Sequence, residues 1–135
     1  MRSVLSVITV VATVVLSACV GGTPDIDVVE RHNMGSIQKG LAVSASLIVR
    51  NAGKAPLDVQ SVSTSCGCTT AVMEPKTIPA GGQGVLRVIY DSNAHAEDMG
   101  PIKRYIFVAS NDPDEGEVRI EIAVDVVSAR SGEGR

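Results

Sequence analysis

An all-β fold, an antiparallel β-sandwich of about seven strands, is what this sequence predicts, and three observations carry it. Apolar and polar residues alternate at period two in one stretch after another, as they do in half-buried strands. Clusters of turn-forming residues separate these stretches at intervals of ten or so residues. Beyond residue 18, no segment repeats its apolar positions at a helical spacing.

The first element is a targeting segment. Arg2 supplies a short positive region, and Val4 to Leu16 form an apolar run interrupted only by Ser6, Thr9 and Thr13. A spanning helix needs about 20 apolar residues, so the run is too short for a comfortable crossing. Leu16-Ser17-Ala18-Cys19 matches the bacterial lipobox, in which the cysteine is acylated and the signal is cut just before it. An ordinary signal-peptidase site suits the segment less well, because Leu16 would occupy a position that prefers a small residue. Residues 1–18 are therefore expected to be a lipoprotein signal peptide. Cys19 is the expected lipidation site, and residues 19–24 the lipidated cysteine with a short tether. Acyl chains contribute about 0.8 kcal/mol per buried methylene, so such an N-terminus is a stable membrane anchor. Val20 follows the cysteine where an inner-membrane retention aspartate would stand, which favours an outer membrane facing the periplasm if the cell has one.

The strands follow over residues 25–127. Ile26 and Val28 begin the first. Val43, Ala45, Leu47 and Val49 oppose Ser44, Ser46 and Arg50 in the next. After a turn at Asn51-Ala52-Gly53-Lys54, Leu57, Val59 and Ser61 oppose Asp58, Gln60 and Val62. Leu86, Val88 and Tyr90 alternate with Arg87 and Asp91, and Ile106 and Val108 with Tyr105 and Phe107. The last strand is the clearest, with Val118, Ile120, Ile122, Val124 and Val126 on one face and Glu117, Arg119, Glu121 and Asp125 on the other. Turns are expected at Pro79-Ala80-Gly81-Gly82, Met99-Gly100-Pro101 and Asn111-Asp112-Pro113. About seven short strands with such turns make an immunoglobulin-like sandwich. The cysteine spacing and the absence of Trp rule out the antibody-type inter-sheet disulfide with its buried indole. Residues 128–135 are polar and Gly-containing, and are expected to be a disordered tail.

Composition narrows the function classes. Arg2 leaves with the signal, so eleven basic residues face fifteen acidic ones in the mature chain. A mildly acidic domain whose aromatics are Tyr90, Tyr105 and Phe107 has neither the basic patch nor the stacking groups of a nucleic-acid binder. The scarcity of aromatics also argues against a carbohydrate-stacking platform.

Four segments occur in order: Asn51-Ala52-Gly53-Lys54-Ala55-Pro56-Leu57, Ser65-Cys66-Gly67-Cys68-Thr69, Ile78-Pro79-Ala80-Gly81 and Ser110-Asn111-Asp112-Pro113. In this the chain resembles the bacterial exported domain-of-unknown-function family 1573, an Ig-like domain similar in build to Hydin-type and major-sperm-protein-type modules. The resemblance covers about residues 27–127. The sequence departs from the family pattern at Met34, where a Phe is common, and at Ala80, which loosens the Pro-Gly turn. The resemblance implies the fold and an exported location. It implies no reaction, because the family has no settled activity.

The chemistry-bearing motif is Cys66-Gly67-Cys68. Cysteines two apart in a strand share a face, with Cα atoms about 6.6 Å apart. That is near the upper end of the range of about 4.4–6.8 Å that a disulfide tolerates, and the intervening glycine lets the backbone shorten it. The resulting ring encloses so little chain that it stabilises the fold weakly. Small strained rings are also easier to reduce. Three roles stay open at this point: a disulfide or thiol pair that stiffens a loop, a redox-active dithiol, and a soft-metal site suited to Cu(I). His32, Met34, Met73, His95 and Met99 are conceivable added donors. The methionines more often fill a core and the histidines more often sit solvated, so none is assigned as a ligand, and no metal or cofactor is expected. Asp112-Pro113-Asp114-Glu115 is expected to be a solvated turn, and neither histidine stands in a motif that would mark a nucleophile's base.

The expectation for the whole is a lipoprotein of the bacterial cell envelope, anchored in the membrane by Cys19. It would present an Ig-like binding or structural module to an envelope protein or component rather than to nucleic acid, and it would not be an enzyme. The alternative is a periplasmic thiol-redox or Cu(I)-handling protein using Cys66 and Cys68.

Overall fold

The computed structural model describes residues 21–129. The expected signal peptide, Cys19 and residues 130–135 of the tail lie outside the described residues. Two sheets pack face to face. The first has four strands in the order β1 (Ile26–Asp27), β3 (Ala42–Asn51), β7 (Gln83–Asp91) and β5 (Thr69–Glu74). The second has five: β2 (Arg31–Gln38), β9 (Glu117–Val127), β8 (Gly100–Ser110), β4 (Leu57–Thr64) and β6 (Thr77–Ile78). Leu47, Val49, Leu86, Val88 and Tyr90 from one sheet meet Ile106, Val108, Ile120, Ile122 and Val124 from the other in a buried core.

The alternation places β3, β7, β8 and β9 with their inward faces as expected, because side chains on a pleated strand alternate strictly between core and solvent. The final strand is eleven residues long and runs between β2 and β8 in the sheet interior.

The Ig-like sandwich is larger and less uniform than expected, with nine strands among the described residues rather than about seven. Two of these, β1 and β6, are only two residues long. One pair is not antiparallel. The chain leaves the first sheet after β1 and enters the second as β2, running parallel to β9 at its edge. A register shift between Asn33 and Ser36, with Gly35 at φ +82°, breaks the phase of β2. Its half-buried residues are therefore His32, Met34 and Ile37, a spacing that hides the strand from a period-two search. In β4, a shift between Val59 and Ser61 turns Ser61 out and Val62 in, the reverse of the expected phase beyond Val59. Strand β8 begins at Gly100, inside the expected turn.

The resemblance segments at one end of the sandwich are structural. Asn51 is buried; its amide donates to the carbonyls of Ala55 (2.8 Å) and Ile78 (3.0 Å) and accepts from the backbone N–H groups of Asp25 (3.2 Å) and Gly53 (3.0 Å). A Cβ at Gly53 would collide with the Thr23 carbonyl, and glycine lets this N-terminal segment lie close. Lys54 N–H donates to Thr23 O (2.9 Å), so the expected tether meets the domain at Thr23. Asp112 is buried rather than solvated and accepts from the N–H groups of Ile26 (2.8 Å), Asp114 (2.8 Å) and Glu115 (3.1 Å). Burial alone would raise its pKa, but these three donors outweigh burial and hold the carboxyl below its ordinary range.

Candidate functional site

The cysteine pair sits where the chain crosses between sheets, in the turn from β4 to β5. Thr64 fixes this turn, its hydroxyl donating to the carbonyls of Cys66 (2.9 Å) and Thr69 (3.0 Å). The cysteines therefore lie in a turn and not in a strand, and their Cα atoms are 5.3 Å apart, closer than a strand allows. Their sulfurs stand at disulfide-bonding distance. The two are unequal. Cys68 is buried at 2 % exposure, whereas Cys66 is half-buried and borders an open cleft of about 380 Å³. Thr69 Oγ1 lies 3.6 Å from the Cys66 sulfur and 3.7 Å from that of Cys68.

Three residues with no distinguishing motif complete the site. Arg104 on β8 donates from Nε to Cys68 Sγ at 3.1 Å. Its Nη2 reaches both carboxylate oxygens of Asp98 at 2.8 Å, and Tyr90 donates its hydroxyl to Asp98 Oδ2 at 2.8 Å. Tyr90 and Asp98 are both buried. Burial, followed by the bond to the Asp98 carboxylate, pushes the Tyr90 phenol up to about 12. For Asp98, burial acts to raise the pKa, but the bonds from Tyr90 and Arg104 and the charge of Arg104 outweigh it and hold the carboxyl below its ordinary range. A fixed anion thus locks a fixed guanidinium, which is aimed at one sulfur.

His95 lies in the β7–β8 connection. Its ring comes within 4.8 Å of both cysteine sulfurs, and among the described residues these three form the group of donors able to hold a metal ion. Lys39 Nζ anchors that connection through the carbonyls of His95 and Asp98. The other candidate donors do not join the group. Met73 is buried in the core, Met34 packs against it, His32 lies on β2, and Met99 is exposed. A larger hollow of about 850 Å³ at the β1–β2 crossing is lined by carboxylates with Arg31 and Arg119 and has no thiol or imidazole.

The two sheets form an Ig-like sandwich of the PapD/ASH build, and this one carries a vicinal cysteine pair at a sheet-crossing turn. The chain belongs to the family described as "Protein of unknown function (DUF1573)", whose pattern matches residues 27–126. It is similar to a protein of unknown function from Porphyromonas gingivalis, at 30% identity and a TM-score of 0.71, over 76% of this chain and 47% of that one. This chain thus spans about half the length of that protein. Two more distant likenesses concern the fold alone. The ASH / PapD-like domain 7 of human CEP192 matches at 10% identity and a TM-score of 0.60, over 95% of this chain and 100% of that one. The YadV chaperone matches at 21% identity and 0.57, over 79% and 54%. No curated protein matches the chain.

Proposed function

We propose that the protein is a bacterial envelope lipoprotein, anchored through Cys19, whose Ig-like domain carries a thiol–disulfide exchange site at Cys66 and Cys68. The observation behind the exchange site is the unequal pair. Cys66 borders the cleft and can be attacked, while the buried Cys68 has an Arg104 N–H at 3.1 Å to receive the charge of a departing thiolate. A thiolate of a dithiol substrate attacks Cys66 Sγ. The Cys66–Cys68 bond breaks, a mixed disulfide forms, and Cys68 leaves as the thiolate that Arg104 stabilises. The second thiol of the substrate, as thiolate, then displaces Cys66. The substrate departs as a disulfide and the protein keeps two electrons as its dithiol.

The test is the rate of reduction by dithiothreitol in a Cys19→Ala chain, compared with an unstructured Ser65–Thr69 peptide. The folded pair is expected to react several-fold faster, with Arg104→Gln removing most of that advantage and Arg104→Lys restoring part of it. A folded pair that reacts no faster than the peptide would falsify the exchange site. Acylation at Cys19 is checked separately by mass spectrometry of membrane-extracted protein.

A second function, the binding or structural module, is favoured by the outer face of the four-stranded sheet. Ile48, Val72 and Ile89 are 41–49 % exposed there, and β5 leaves one sheet edge open. An extended segment of an envelope protein can add to such an edge. Pull-down from native envelope separates the two: a partner kept by the Cys66→Ser/Cys68→Ser variant belongs to the module, and one lost by a folded variant belongs to the thiols.

A further inference from the structure

We infer that the reduced cysteine pair, together with His95, forms a Cys2His site for monovalent copper. The exchange reading supplies the reduced state on which this rests; the copper site is a separate property of that state. Three donors from two segments far apart in sequence converge: Cys66 and Cys68 from the β4–β5 turn and His95 from the β7–β8 connection, with ligand atoms within 4.8 Å of one another. Two thiolates and an imidazole are soft to intermediate donors, the set that suits Cu(I) or zinc. Zinc held by these three would need a water or substrate as fourth ligand to complete its tetrahedron, whereas Cu(I) is satisfied by two or three donors, which favours Cu(I) for a group of three.

The surroundings suit such an ion. Arg104 Nε already donates to Cys68 Sγ, which steadies a thiolate and fixes the direction of its free lone pairs. Thr69 Oγ1 stands beside both sulfurs. A Cβ at Gly67 would meet open space, so the turn between the cysteines has room to open when the sulfurs part. His95 and Cys66 both border the cleft, which gives the ion its entry path.

The experiment uses the full chain with Cys19→Ala, so that no third thiol competes, reduced chemically and titrated anaerobically with Cu(I) against the chromogenic chelator bicinchoninate. One ion per chain is expected. Affinity should fall about tenfold or more in His95→Ala, stay unchanged in His32→Ala, and vanish in Cys66→Ser/Cys68→Ser. X-ray absorption of the loaded wild type should report sulfur and nitrogen neighbours together. Wild-type affinity in His95→Ala, or sulfur neighbours alone, overturns the site. Because the protein is reduced before titration, a chain that exchanges thiols normally but takes up no copper sinks this inference and leaves the exchange site standing. Rapid exchange lost with copper uptake intact does the reverse.

Discussion

At the residue scale, three ionisable side chains give the molecule a definite pH response. Asp98 and Asp112 are held below the ordinary carboxylate range in the folded state. A depressed folded pKa contributes stability that is present above the unfolded value of about 3.9 and is lost as pH falls through the folded one. Acid unfolding monitored by circular dichroism is therefore expected to set in below about pH 4, and Asp98→Asn should remove part of that dependence. Tyr90 has the opposite sign. Its phenol is raised to about 12, so its contribution is complete below the unfolded value of about 10 and is lost as pH rises toward 12. Tyr90→Phe should cost about 1–3 kcal/mol, because it leaves the buried Asp98 short of a donor. Equal denaturant midpoints for Tyr90→Phe and wild type would show that the phenol bond adds nothing. Cys66 and Cys68 are plain in the sequence as a motif. Arg104, Asp98 and Tyr90 are not, since each is an ordinary strand or loop residue whose role comes from what folds against it.

At the element scale, β9 is the test of the inward face. Ile120 and Ile122 are fully buried between two neighbouring strands. Ile122→Ala is expected to cost about 2–5 kcal/mol through lost burial and the cavity left behind. Glu121, on the opposite face, pairs with Lys103 at 3.3 Å and Arg31 at 3.9 Å, and removing a partly solvated pair costs under about 1 kcal/mol. Urea titration of the two variants checks the difference, and similar midpoints would mean that the register of β9 is misplaced. Strands with a continuous apolar inward face and no bulge, namely β3, β7 and β9, were legible in the sequence. Strands β2, β5 and β6 were not. The bulge in β2 breaks its period, β5 turns the polar Thr69 inward beside Ala71 and Met73, and β6 is too short to alternate.

At the scale of the whole molecule, the two-sheet core is expected to survive loss of the cysteine bond, although Cys68 packs within it and Cys66 against it. A ring enclosing so few residues removes little entropy from the unfolded chain. Cys66→Ser/Cys68→Ser should therefore cost about 1–2 kcal/mol and lower the thermal midpoint by no more than about 15 °C. Calorimetry that found the variant unfolded would make the pair a structural staple and remove the grounds for an exchange site. Alternation, turn residues and cysteine spacing are local properties of the chain, so the sandwich, the inward faces of its regular strands and the motif that carries its thiols were readable from residue order. Packing of the two sheets was needed to set β2 parallel to β9, to bring Asn51 and Asp112 in to stitch one end together, and to surround the cysteines with Arg104, Asp98 and His95. These depend on which distant segments the packed sheets bring within a few ångströms, and no local pattern records that.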